Sequence, residues 1–328
     1  MKRTHFYITY LLLWLSCCAV QIVYCYAQTG RTATADLYLE RGNDWFAKRE
    51  YARAEEDFAL AIATDPSHAR AYYNRGVARY QLGKLTDALA DFDHALQLNP
   101  RLTEVYVNRS GVRYKLGDWA GAIKDADQAI GLNPKSAEAW SNRALVRGGK
   151  EDYPGALADF DRAIKLGLRN AEIYNNRGVV RFKLGDDDGA ISDQTHALKL
   201  QRDFVEAWNS RGAARQFKGD LDSALSDYNQ ALKLNPRFAD AWFNRATLWK
   251  LKGQFARAEA DFTETIALQP QSAESYAQRG LMRLLQNRVA EAQADFDRCL
   301  ELNPKLRPVL EQKIAEAKRY LAATRNHP

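Results

Sequence analysis

Cysteine is scarce in this chain. Cys17, Cys18 and Cys25 crowd near its start, which leaves Cys299 as the one thiol in everything that follows. A single thiol cannot close an internal disulfide, so stability has to come from packing. Cys299 itself reads as a small core residue, because free cysteine commonly packs as a small buried hydrophobe. Histidine is almost as sparse, at His5, His68, His94, His196 and His327. There is no His-Glu-x-x-His pair for zinc and no glycine-rich loop running into Lys and Ser or Thr for phosphates. A Gly-x-Ser-x-Gly elbow for a nucleophile is also missing. The acidic run Asp186-Asp187-Asp188 reads as a solvated turn, since a calcium loop needs spaced ligands and a bidentate glutamate. No enzyme activity, cofactor or metal is therefore expected.

The bulk composition excludes collagen-like, disordered and polytopic membrane classes, because 46% apolar and 27% charged residues are ordinary for a globular chain. A net charge of +6 raises nucleic acid or an anionic surface as a partner. The pairing of arginine with aspartate described below argues against that partner.

The first thirty residues stand apart. Lys2, Arg3 and His5 make a positive start, and Phe6 to Gly30 carries no Asp, Glu, Lys or Arg. Tyr10 to Leu15 is the apolar centre, and Cys25-Tyr26-Ala27 offers a small residue at the end. This is the order of a secretory signal peptide, with cleavage expected after Ala27. Residues 6–27 are also long enough to stay as an uncleaved anchor. The positive flank would then hold the N-terminus inside. Leu15-Ser16-Cys17-Cys18 loosely resembles a lipobox, which would make a lipidated cysteine the tether. All three alternatives export residues 35 onward to the periplasm or the extracellular space, with 28–34 as a short linker.

What the chain has in abundance is repetition. Arginine recurs at 41, 75, 109, 143, 177, 211, 245 and 279, always 34 residues apart. Aspartate keeps the same step from Asp57 to Asp295, and alanine from Ala54 to Ala292. The register divides the chain into eight units: 35–68, 69–102, 103–136, 137–170, 171–204, 205–238, 239–272 and 273–306. Within 69–102 the spacing predicts two helices, one over Ala69 to Leu82 and one over Asp87 to Leu98, broken at Gly83. Asn99-Pro100 ends the unit, because proline cannot continue a helix and disfavours helix just before it. Leu168 and Arg202 interrupt the proline column, so the joints after the fourth and fifth units are expected to differ. Over 307–328, Val309, Leu310, Ile314, Ala317 and Leu321 share one helical face and predict a capping helix for the last unit.

An aromatic opens each first helix and a small residue follows four positions later, as in Tyr72 and Gly76. Ala88, Phe92, Ala95 and Pro100 complete the unit. This pattern resembles the tetratricopeptide repeat over residues 35–306. The resemblance implies an all-α fold, a right-handed α-solenoid of antiparallel helix pairs. It also implies a concave groove lined by the first helices.

The charged columns depart from the family pattern, which commonly has leucine where this chain has arginine. Counting from Gly83, Arg75 lies eight residues back and Asp91 eight forward, so antiparallel helices bring them to one height. A structural ladder is expected from Arg75–Asp91, Arg109–Asp125, Arg143–Asp159, Arg177–Asp193 and Arg211–Asp227, since arginine can grip a carboxylate with two bonds. The alternative, an arginine stripe for anions, needs guanidinium groups that are not already neutralised.

Immediately before the arginines stand Asn74, Asn108, Asn142, Asn176 and Asn244. Asparagine is a poor interior helix residue, and its amide both donates and accepts. A row of such amides can grip the backbone of an extended peptide, and it is similar to the asparagine ladder in the superhelix of the O-linked N-acetylglucosamine transferase, whose catalytic part is absent here. Local bonding of the amides is the competing explanation. Tyr73, Tyr80, Tyr114 and Phe182, with Phe217, Phe243, Leu251 and Leu285 further on, vary between units and are candidate side-chain pockets. The expected function is a protein or peptide-binding scaffold outside the cytoplasm. A self-assembling envelope scaffold that uses its convex face and ends is the alternative.

Overall fold

Helices begin every 34 residues because each unit repeats the same start and stop signals. The computed structural model describes residues 32–325, and the expected export leader and the last three residues lie outside them. Among the described residues there are seventeen α-helices and no strand. They divide into two compact units, described separately: residues up to Asp152 with Asp161–Gly167, and Tyr153–Phe160 with Leu168 onward.

The first compact unit holds α1 (32–47), α2 (Tyr51–Thr64), α3 (Ala69–Gln81), α4 (Leu85–Leu98), α5 (Thr103–Lys115), α6 (Trp119–Leu132) and α7 (Ala137–Gly149). It also holds the end of α8 (Tyr153–Lys165). The second continues with α9 (Ala171–Lys183), α10 (Asp187–Leu200), α11 (Val205–Phe217) and α12 (Leu221–Leu234). It closes with α13 (Ala239–Leu251), α14 (Phe255–Leu268), α15 (Ala273–Leu285), α16 (Val289–Leu302) and α17 (Arg307–Arg325). Within the units, α3 pairs antiparallel with α4, α5 with α6, α9 with α10, α11 with α12, α13 with α14 and α15 with α16. First helices also touch their neighbours: α3, α5 and α7 in succession, and then α9, α11 and α13.

Every hairpin turn takes positive φ. Five of the turn residues are Gly83, Gly117, Gly185, Gly219 and Gly253, while Arg49, Glu151 and Asn287 hold φ of 62°, 64° and 63° without being glycine. The Lys84 N–H donates to Arg79 O at 2.9 Å and the Gly83 N–H to Tyr80 O at 3.0 Å, which satisfies the carbonyls left over at the end of α3. Asp118, Asp186 and Asp220 each accept a backbone N–H at the next helix start. Asp186 thus serves its acidic turn as a cap, and Asp188 bonds Lys218.

The joints between pairs are more uniform than the proline column suggests. Asn99 and Gln201 are both extended, with φ of -142° and -140°, although Gln201 precedes Arg202 and not proline. Only after α8 does the chain turn differently, at Gly167 with φ of 106°.

The alanine columns pack fully buried. Glycine opposite an aromatic lets the paired helices close: a Cβ on Gly76 would stand 2.7 Å from a ring carbon of Phe92. Leu310 and Ala317 of α17 are buried in one cluster with Met282, Phe296 and Cys299, so α17 covers the α15–α16 pair as expected. Burial raises the Cys299 thiol pKa, consistent with a packing role. No helix among the described residues is long and apolar enough to cross a membrane.

Candidate functional site

The arginine column meets the aspartate column as its height requires. Arg75 grips Asp91 through Nε and Nη2 at 3.0 and 2.7 Å, and Arg109 grips Asp125 at 2.8 and 2.6 Å. Arg177–Asp193 closes at 2.8 and 2.6 Å and Arg211–Asp227 at 3.0 and 2.8 Å. The same fork recurs at Arg41–Asp57, Arg245–Asp261 and Arg279–Asp295. Asp159 is buried like the other aspartates. A further arginine stands four residues on in most units and reaches the same carboxylates, with Arg79, Arg113 and Arg215 at 2.9, 2.8 and 2.8 Å from Asp91, Asp125 and Asp227.

The column arginines make a third contact, between successive pairs. Arg109 Nη1 donates to Asp93 of the preceding pair at 2.6 Å, Arg143 Nη1 to Asp127 at 2.7 Å and Arg245 Nη1 to Asn229 at 2.7 Å. Thr195 and Thr263 accept from Arg211 and Arg279 in the same manner. Each of these arginines therefore ties its own helix pair to the second helix of the one before. The signal was present as a 34-residue column of acceptors at 93, 127, 195, 229 and 263. Each column arginine also lies over the opening aromatic of its helix, at 5.6 Å for Arg75 on Tyr72 and 4.7 Å for Arg245 on Trp242. With their forks bound and their faces covered, these guanidinium groups offer little to a phosphate.

The asparagine row does not stand free. Asn108 Nδ2 donates to Tyr73 Oη at 2.8 Å and to Glu104 O at 3.1 Å, which uses both its protons. Asn142 donates to Val107 O at 2.9 Å and Asn244 to Asn209 Oδ1 at 3.0 Å, each to the first helix of the preceding unit. Asn74 donates to Asn43 Oδ1 at 2.8 Å. Asn176 is half-buried and makes no side-chain hydrogen bond among the described residues. Four of the five therefore link adjacent first helices by donating, and Asn176 does not.

The aromatic candidates divide between core and surface. Tyr73 packs on Phe92 at 6.0 Å between ring centroids, and burial and Glu104 raise its phenol pKa despite the bond from Asn108. Tyr80 carries Lys115 over its ring at 4.6 Å, and Tyr114 is half-buried near Gly149. Phe243 packs edge-on against Phe262. Phe182 meets Phe217 edge-on at 5.7 Å, and Phe217 remains 73% exposed. Leu251 is also exposed, while Leu285 is half-buried.

Two cavities adjoin these residues. One, of about 190 Å³, opens between α1 and α3 over Phe46, Phe58, Tyr73 and Val77, with Asn43 and Asn74 among its lining residues. The other, of about 450 Å³, lies among α13, α15 and α17. No group of three or more His, Cys, Asp or Glu among the described residues is placed to hold a metal ion. His94 and His196 instead lie against Tyr72 and Tyr174.

Tetratricopeptide repeat models match residues 69–102 and 205–238, then 112–147, 143–203 and 252–306, and also 227–260. Comparison with curated proteins finds no significant match. Among solved structures, the Cut9–Hcn1 hetero-tetramer of the APC/C is similar over 91% of this chain and 59% of its own, at 15% identity and a TM-score of 0.66. A tetratricopeptide repeat protein of Parabacteroides merdae covers 76% of this chain and 99% of its own, at 18% identity and 0.59. Pseudomonas aeruginosa pilF covers 66% and 99%, at 19% and 0.59. At these identities the likeness concerns the fold. The matched repeats span most of residues 69–306, the helix pairs recur with them, and the chain belongs to the tetratricopeptide repeat family.

Proposed function

We propose that the chain is a non-catalytic adaptor that holds an extended segment of a partner protein on first helices of its N-terminal unit, outside the cytoplasm. The cavity between α1 and α3 carries this reading. Its floor is the apolar Phe58, Phe46 and Val77, and the amide pair Asn43–Asn74 lies beside it. An apolar hole next to amides suits an extended peptide, whose side chain fills the hole while its backbone bonds the amides. In the second unit, taken by itself, the exposed Phe217 and Leu251 give first helices apolar surface of their own. With the arginine ladder spent internally, these groups are what the first helices have left to offer a partner.

Selection from a displayed peptide library tests the binding surface. Peptides enriched on the native protein should lose binding to Val77→Trp, which fills the cavity, in a variant that keeps its helical circular dichroism. Enrichment that survives Val77→Trp and the Asn43→Ala, Asn74→Ala pair sinks the assignment to this cavity. Export rests on the charge and apolar order of residues 1–27. N-terminal sequencing and mass measurement of the protein from cell fractions distinguish cleavage after Ala27 from a retained anchor or a lipid. Recovery of the intact chain from the cytosol alone overturns export.

A further inference from the structure

The cavity among α13, α15 and α17 differs in kind from the one between α1 and α3. Leu251, Leu281, Met282 and Leu285 supply apolar walls, while Lys250 and Lys313 line it with two ammonium groups. Lys250 stands in the register position that Phe46, Tyr80, Tyr114 and Phe182 fill in other units. It is half-buried, and its Nζ donates to Gln278 Oε1 at 3.0 Å, a neutral acceptor. Lys313 stands at the arginine register position of α17, 34 residues after Arg279.

Neither lysine has a carboxylate within ion-pair distance among the described residues, whereas Lys84, Lys218 and Lys252 each have one. Glu316 also lines the cavity from the exposed face of α17, and Glu274 attracts Lys250 from a distance. Burial and the Lys313 charge outweigh that attraction and lower the Lys250 pKa. A half-buried lysine facing a second lysine is costly to the folded protein unless something negative joins them.

We propose that this cavity binds an acidic side chain of a partner polypeptide, flanked by apolar residues. The carboxylate bridges Lys250 and Lys313, and a neighbouring apolar side chain enters between Leu251, Leu281, Met282 and Leu285. Leu251 is shared between the cavity wall and the exposed apolar surface of the first helices, which favours a peptide over an isolated small anion. The inference rests on the reading of first helices as a peptide-binding surface and specifies what those of the second unit select. An ammonium pair beside apolar walls rewards a carboxylate carried on an apolar body and rejects a cation there.

The test uses the full chain and three peptides with alternating leucine, acetylated and amidated so that no terminal carboxylate is present. The intervening residues are glutamate, glutamine or lysine, and binding is followed by fluorescence anisotropy. The glutamate peptide should bind at least about tenfold more tightly than the glutamine peptide, and the lysine peptide not measurably. Lys250→Met keeps the side-chain length and removes the charge, and with Lys313→Gln it should abolish the preference for glutamate. Equal binding of the glutamate and glutamine peptides overturns the inference. Binding of dodecanoate without binding of the glutamate peptide overturns it in favour of a lipid carboxylate. If no peptide of the series binds while library peptides still depend on Val77, this inference fails and the groove reading stands.

Discussion

Arg109 joins Asp125 through two parallel hydrogen bonds across its own helix pair and, with its remaining nitrogen, joins Asp93 of the preceding pair. One side chain thus sets the spacing within a repeat and the register between repeats. Asp125 is buried and also accepts from Arg113, so its carboxylate balances two guanidinium groups. Asp125→Ala leaves Arg109 with Asp93 and Arg113 with Asp118 at 3.6 Å, so it removes their shared buried acceptor without stranding either charge, and should cost about 1.5–3 kcal/mol. Arg109→Lys keeps the charge but loses the fork, and should cost less than Asp125→Ala. Denaturant melts followed by far-ultraviolet circular dichroism rank the two, and a smaller loss for Asp125→Ala contradicts the ladder as the register device.

The hairpin turns make a prediction of the opposite sign. Glu151 holds φ of 64° where five other turns use glycine. A non-glycine residue in this left-handed region costs roughly 1–2 kcal/mol, partly offset by the greater freedom glycine has in the unfolded chain. Glu151→Gly should therefore stabilise by about 0.5–1 kcal/mol, and Arg49→Gly similarly. Asn287→Gly should gain less, because asparagine tolerates this conformation. Thermal melts of the three variants should show that order.

Glu259 gives a pH signature. Burial pushes its pKa up, but bonds from Arg283 and Gln286 and the charge of Arg288 outweigh this, and the net shift is downward. The carboxylate is thus more acidic folded than unfolded. Its contribution is present above the ordinary glutamate value of about 4.3 and is lost as pH falls through the lower folded value. Glu259→Gln should melt below the native protein near neutral pH, with the two melting temperatures converging as pH falls below the ordinary glutamate range. A constant gap across that range would show that the carboxylate charge plays no part.

The helix pairs and their ladder were legible because a column repeated eight times carries its own control: each residue is read against seven counterparts. Arg75 and Asp91 needed only the geometry of one hairpin. Contacts between successive pairs were less legible, since they depend on how neighbouring first helices sit together. That Asn108 reaches Tyr73, 35 residues earlier, follows from the inter-repeat angle and not from spacing within a unit. Arg49 and Glu151 were hidden for another reason: the turn is enforced by the two helices it joins, whatever the preference of its own residue. Lys250 was not legible, because its position also varies to Gly148, Gln216 and Leu284, and its meaning depends on α17 bringing Lys313 to the same cavity.

The small residue on each first helix and the large one opposite are coupled, and the exceptions allow that coupling to be measured. A Cβ on Gly42, Gly76, Gly212 or Gly280 would approach the opposing ring to between 2.5 and 2.7 Å. In the α5–α6 pair the large residue is instead Ala126, and Ser110 replaces glycine and donates to Ala122 O at 2.8 Å. Ala126→Phe should overpack against Ser110 and cost about 1–3 kcal/mol, while Ser110→Gly together with Ala126→Phe should recover most of the loss. The α9–α10 pair is the converse case. Gly178 keeps the space open, yet Gln194 occupies the aromatic position, 1% exposed, with its Oε1 buried and unpaired. Gln194→Phe fills the same space without the desolvation penalty and should stabilise by about 1–3 kcal/mol. Destabilisation by Gln194→Phe in a folded variant would mean that a polar group in this pair serves a contact beyond the core. Ala246 already sits in one cluster with Phe262, so recovery by Ser110→Gly of the Ala126→Phe loss measures the space the ring gains over a side chain larger than alanine.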